Sequence, residues 1–184
     1  MDLLVFRWIN DFAGRSPFLD SLMIGLAEWL TLGAPLLLLG LWFWPGPTRR
    51  ERRITAVLTV GGMLLALGVA DLPSVVYFRP RPFQSHDVTL LVREPLLPSF
   101  PSTHMAAMTA LVVGLSEHLG QWQYMAWGVT AGSMLARVYV GVHYPTDVLG
   151  GFLDGLLVGL VVMGNRDALR TFAARVVGFA EELL

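Results

Sequence analysis

The chain has 184 residues, 54% hydrophobic and 15% charged, with a mean hydropathy of +0.59. Soluble domains carry about 25% charged residues, so this balance points to a membrane, and the length fits one domain, 1–184. The net charge of −1 argues against a nucleic-acid partner, and the lack of cysteine excludes disulfides, thiolate zinc sites and cysteine nucleophiles.

Residues 2–13 set Leu3, Phe6, Trp8, Ile9 and Phe12 on a broad apolar face, away from Arg7, Asn10 and Asp11. A membrane core of about 30 Å needs about 20 residues, so 1–15 reads as a short interfacial helix, or as a helix packed into the end of a bundle. The start is not basic, and Asn10 and Asp11 interrupt its apolar run, so it does not read as a signal peptide. The run 17–44 is long enough to cross with tilt, and Gly33 with Pro35 predicts a kink near its middle. Glu28 lies inside this run, either as an interfacial or hydrogen-bonded group or as a polar group under a pocket.

Residues 46–53 carry Arg49, Arg50, Arg52 and Arg53, the mark of a cytoplasmic loop. The run 54–78 crosses outward, with Asp71 in its outer part. Residues 79–101 form an outer loop that holds Arg79 and Arg81 and is dense enough in proline to exclude a regular helix. The runs 103–119, 122–140 and 145–164 cross in turn. Gly150, Gly151, Gly155, Gly159 and Gly164 of the last allow close helix contact. The amphipathic tail 166–184, with Arg166, Arg170 and Arg175, lies on the cytoplasmic side. The sum is an all-α, polytopic transmembrane bundle of five to six helices, five of them spanning, with the N-terminus outside and the C-terminus inside. Three polar stretches then share the outer face: Arg79-Pro80-Arg81-Pro82, Pro101-Ser102-Thr103-His104 and Arg137-x5-His143-x3-Asp147.

Their chemistry follows from their positions. Pro145 suits the first turn of a helix, which puts Asp147 near its third residue, where an acidic side chain reaches back past the helix start. There it can accept a hydrogen bond from one ring nitrogen of His143, fix the tautomer and leave the lone pair of the other as a nucleophile. Arg137 comes near the same point after a short turn, and an arginine beside a neutral histidine calls for an anion such as a phosphoryl group. Ser102 and Thr103 open a helix whose unpaired N–H groups and dipole favour phosphate, and His104 is placed to act as a general acid. Arg79 and Arg81 alternate along an extended chain and can face one way. One histidine at a helix end is usually a cap, and one boundary arginine usually binds headgroups. Three such stretches on one face point to phosphoryl transfer instead, with arginines and backbone N–H groups in place of a metal, and no cofactor.

On these residues the chain resembles the type 2 phosphatidic acid phosphatase superfamily, marked by Lys-x6-Arg-Pro, Pro-Ser-x-His and Ser-Arg-x5-His-x3-Asp. Arg81-Pro82, Pro101-Ser102-x-His104 and Arg137-x5-His143-x3-Asp147 match, over roughly residues 50–165. Ser74 stands at the lysine position and Ala136 at the serine position, and Arg79 is the expected replacement for the lysine charge. The wording around the motifs is similar to undecaprenyl-diphosphate phosphatases of the bacitracin-resistance type, in Phe78-x-Pro80-Arg81-Pro82-Phe83, Ser99-Phe100-Pro101-Ser102 and Val140-Gly141-x-His143-Tyr144-Pro145. The resemblance implies His143 as nucleophile, Asp147 as its orienter and His104 as the acid that protonates the leaving phosphate and then activates water. Arg81, Arg137 and Ser102 would hold the transferring group. It further implies a bacterial plasma-membrane enzyme acting outside the cytoplasm on undecaprenyl diphosphate. The alternatives are a lipid phosphomonoesterase for phosphatidylglycerol phosphate, phosphatidic acid or a lipid A phosphate, and a non-enzymatic lipid or ion carrier. Membrane lipids are expected partners, and the sequence sets no oligomeric state.

Overall fold

The computed structural model describes residues 1–93 and 96–182, without the side chains of 30–32. Glu94 and Pro95 of the outer loop and the last two residues of the tail lie outside the described residues. Among the described residues eight helices follow in order: α1 (Asp2–Asn10), α2 (Pro17–Phe43), α3 (Arg49–Val76), α4 (Pro82–Ser85), α5 (Thr103–Leu119), α6 (Trp122–Tyr139), α7 (Pro145–Gly164) and α8 (Arg166–Glu182).

Local chemistry sets the starts. Ser16 caps α2, its hydroxyl accepting from Leu19 N at 3.4 Å, with Pro17 in the first turn. Two helices depart from expectation. The arginines expected in a loop begin α3, and Arg53 is 4% exposed, its guanidinium paired with Glu181 of α8 and stacked 5.0 Å from the Trp42 ring. An arginine can enter a helix end when a carboxylate and an aromatic face meet its charge. The proline-rich loop contains the one-turn α4, because Pro82 occupies the first helical position, where its missing N–H is harmless, and Gln84 accepts from Arg81 N at 2.7 Å.

α5 is the centre of the bundle, buried at every residue from Met105 to Leu115. α3 and α7 pack against it. A Cβ at Gly151 of α7 would lie 2.2 Å from the Ser102 carbonyl oxygen, and one at Gly155 would lie 2.1 Å from that of Ala106. The paired numbers rise together, so α5 and α7 run side by side in the same direction with backbones in contact. Leu64, Leu65 and Val69 of α3 and Leu153, Leu157 and Leu160 of α7 are exposed on the outside, apolar surface that suits lipid rather than water.

α3 and α7 are long and apolar enough to cross a membrane. The halves of α2, Pro17–Trp29 and Gly33–Phe43, are apolar enough only when taken together, and they bend by 52° near the expected kink, as a broken span or a re-entrant pair does. The 17-residue α5 and the 18-residue α6 are not among the helices long and apolar enough to cross, so two or three of the five expected crossings are found among the described residues. Glu28 is exposed on α2.

α1 packs its Phe6 and Asn10 face onto the bundle end. Phe6 is 1% exposed among Met105, Met108, Val138 and Tyr144. Asn10 donates to Thr89 O at 2.8 Å and Tyr139 O at 2.7 Å, and accepts from Thr89 N at 3.0 Å. The clamp leaves no room at Gly141, whose φ is +89° and whose Cβ would meet Thr89 O at 2.7 Å. Asn10→Ala strands two carbonyls and one N–H, and is expected to lower stability by about 2–3 kcal/mol in detergent melting curves.

Candidate active site

The three polar stretches meet at one end of the bundle. The backbone N–H of Ser102, at the start of α5, donates to the carbonyl of Asp147, at the start of α7, at 3.0 Å. That bond joins the two helix N-termini. Leu91 N donates to Val140 O at 3.1 Å and Ser99 N to Arg79 O at 2.8 Å, which fold the outer loop over the same end.

His143 is 1% exposed and Asp147 fully buried. His143 Nδ1 lies 3.0 Å from the Ser99 carbonyl. A carbonyl oxygen only accepts, so Nδ1 carries a proton in this contact. This corrects the expected direct bond to Asp147, whose Oδ2 is 3.7 Å from Nδ1, beyond hydrogen-bonding reach. The carboxylate does reach back past the helix start, but it is spent on nearer donors: Tyr144 N at 2.8 Å and the Ser99 hydroxyl at 2.5 Å. Ser99 thus stands between acid and base, its carbonyl on the imidazole and its hydroxyl on the carboxylate.

Arg79 does point inward, toward the carboxylate of Asp147. Its Nη1 donates to Asp147 Oδ1 at 2.5 Å and Thr146 Oγ1 at 2.7 Å, and its Nη2 pairs with Asp2. Its guanidinium lies 4.3 Å over the Tyr144 ring. Two carboxylates thus pair with the cation that is the expected replacement for the lysine charge missing at Ser74. Burial alone would lower the Arg79 pKa, but Asp2 and Asp147 outweigh it and raise it. Burial likewise pushes Asp2 up, yet hydrogen bonds from Thr146 and Arg79 bring it below the ordinary carboxylate value.

Arg81 is 4% exposed and Arg137 3%. Arg81 Nε donates to Leu97 O at 3.2 Å, and Arg137 Nη1 reaches Ala27 O at 3.5 Å. Arg137 lies close enough to His104 for its charge to be felt there. His104 Nε2 is buried with no hydrogen-bond partner among the described residues. Ser102 is fully buried and caps α5, accepting from Met105 N at 3.5 Å. Thr103 and Arg81 line a cavity of about 370 Å³ with Ser74, Asp71 and Phe100. A larger cavity, about 650 Å³, lies at the opposite end around Arg52 and His118, far from these groups.

A family model for the PAP2 superfamily matches residues 55–170, which contain all three stretches. The chain belongs to the PAP2 superfamily. It is similar to undecaprenyl-diphosphatase BcrC of Bacillus subtilis, at 29% identity over all of this chain and 94% of that protein. It is 35% identical to phosphatidylglycerophosphatase B of the same organism, over 86% of this chain and 80% of the relative. Aquifex aeolicus LpxE has a crystal structure that superposes with a TM-score of 0.74 at 26% identity, covering 89% of this chain and 94% of that one. The protein is therefore a membrane phosphatase of the PAP2 type, with helices as its regular structure among the described residues.

Two PAP2-site neighbours have no signal in the sequence reading. Asp2 and Asn10 reach partners as far as 144 and 129 residues away, separations that no local pattern encodes. Ser99 sits three residues before Ser102 and was visible only as part of the motif wording.

Proposed function

We propose that the protein removes the terminal phosphate of undecaprenyl diphosphate through a phosphohistidine on His143. The observation that carries this is the buried imidazole anchored through Nδ1 by the Ser99 carbonyl, which makes Nε2 the nitrogen that attacks in this reading. In the first step the Nε2–P bond forms, the bond to the bridging oxygen breaks, and His104 gives that oxygen its proton. In the second, water attacks phosphorus, His104 takes the water's proton, and the P–N bond breaks to release inorganic phosphate. Arg81, Arg137 and the α5 start at Ser102 and Thr103 stabilise charge on the transferring group.

The full-length likeness to a protein named undecaprenyl-diphosphatase supports a prenyl diphosphate. The 35% likeness to a phosphatidylglycerophosphatase supports the second reading, a lipid phosphomonoesterase. Arg49, Arg50, Arg52, Arg53, Arg166, Arg170 and Arg175 gather on α3 and α8 at the end away from the site, which supports an outward-facing site in a bacterial plasma membrane.

Phosphate release from undecaprenyl diphosphate is expected to exceed that from phosphatidylglycerol phosphate and phosphatidic acid in a purified substrate panel; the reverse order selects the second reading. Because arginines and helix N–H groups supply the positive charge, EDTA is expected to leave the rate unchanged. Complete inactivation by EDTA, reversed by a divalent cation, would refute the metal-free step.

A further inference from the structure

Asp147 shares its arginine with a second carboxylate, Asp2, which takes no direct part in the phosphoryl transfer. Asp2 is held at three points. Thr146 N donates to its Oδ1 at 3.1 Å, Thr146 Oγ1 to its Oδ2 at 2.6 Å, and Arg79 Nη2 pairs with it. The helix that carries it is fixed by the Asn10 clamp and by Phe6, whose ring centroid is 5.6 Å from that of Tyr144. Asp2 therefore does not hang on a loose terminus.

Charge balance gives the arrangement a purpose. When Nε2 bonds phosphorus with Nδ1 already protonated, the His143 ring becomes cationic. Asp147 needs Arg79, because a buried carboxylate without a cation or donors is strongly destabilised. Yet Arg79 and Asp147 alone sum to zero and offer the ring little compensation. With Asp2 the cluster carries one net negative charge. We propose that Asp2 is a positioning residue for the phosphoryl-transfer step, a remote counter-ion that lets Arg79 hold Asp147 in place while the cluster behind His143 stays anionic. This rests on the phosphohistidine reading above. The lowered acidity range of Asp2 agrees with its being ionised at neutral pH.

Among the described residues, the charged or titratable groups gathered at this end of the bundle include Asp147 of α7, 3.7 Å from His143 Nδ1, with Arg79 of the outer loop, Asp2 of α1, Arg137 of α6 and His104 of α5, and the Tyr144 phenol next in the chain. Asp2→Asn removes one negative charge from this set and keeps the side-chain size. Nearby negative charge raises an imidazole pKa, so its removal lowers it. The full-length protein in detergent, assayed with undecaprenyl diphosphate and with phosphatidylglycerol phosphate, is expected to lose kcat roughly tenfold with little change in KM. The acid limb of kcat/KM against pH is expected to move down by about one unit. Asp2→Glu should restore both in large part, and Arg7→Gln, an exposed change on the same helix, should match the unaltered protein.

Unchanged kcat in Asp2→Asn overturns the proposal. So does a lowered kcat with an unmoved acid limb and no rescue by Asp2→Glu, which would mark a purely structural latch. His143→Ala separates the two readings: if it still releases phosphate, the phosphohistidine reading fails; if it is inactive while Asp2→Asn is normal, only the counter-ion role fails.

Discussion

His143→Ala is expected to cut phosphate release by at least about 10³-fold, since removing a covalent nucleophile takes away the step itself rather than easing it less well. The protein should still fold. The imidazole hydrogen bonds to the Ser99 carbonyl at the bundle end, whereas the helices are held by the α3, α5 and α7 contacts below it. Losing that bond leaves one buried carbonyl without its donor, a loss of about 1–3 kcal/mol. Thermal unfolding and phosphate release measured on one preparation distinguish an inactive folded enzyme from an unfolded one. Near-normal turnover in a folded His143→Ala protein would refute the nucleophile. Trapping labelled phosphate on the unaltered protein by rapid acid quench, and its absence in His143→Ala, tests the same intermediate from the other side.

Gly155→Ala is expected to destabilise the protein by about 3 kcal/mol, the upper end for overpacking, although alanine is the better helix former. The new Cβ would sit 2.1 Å from the Ala106 carbonyl oxygen and 2.9 Å from Thr109 Cβ, and the first of these is backbone that cannot rotate away. α5 and α7 must move apart. Those two helices carry His104 and Ser102 on one side and Asp147 on the other, so activity should fall along with stability. Gly61→Ala on α3, with nothing within 4 Å of the added methyl, provides the opposite sign: a gain of up to about 1 kcal/mol from helix propensity. Equal melting shifts for the two substitutions would refute the close α5–α7 packing.

Much of this molecule is readable from local rules. The apolar runs set helices close to where they occur: 103–119 and 145–164 coincide with α5 and α7. Their starts are readable because capping is a short-range matter. Ser102 caps α5, and Pro145 with Asp147 opens α7 within a single turn. The same rules locate the glycine stripe and the bend of α2. They fail where a charge is neutralised by a distant partner. Arg53 reads as a loop residue in sequence, because nothing near it in the chain announces Glu181.

The site divides along the same line. Residue types and spacing decide that two histidines, an aspartate and several arginines converge at one end, because helix length and hydropathy fix which ends share a side of the membrane. Which atom meets which was decided by tertiary structure. The spacing of His143 and Asp147 allows a direct bond, but Ser99, arriving from the outer loop, takes both the Nδ1 proton and a carboxylate oxygen at shorter distances. Arg79, expected to face a phosphate, pairs in the structure with the buried Asp147 and the partly exposed Asp2, partners that lie 68 and 77 residues away in the chain. Hydrogen bonds are settled at tenths of an ångström between segments more than forty residues apart, and no periodicity along the chain carries that information.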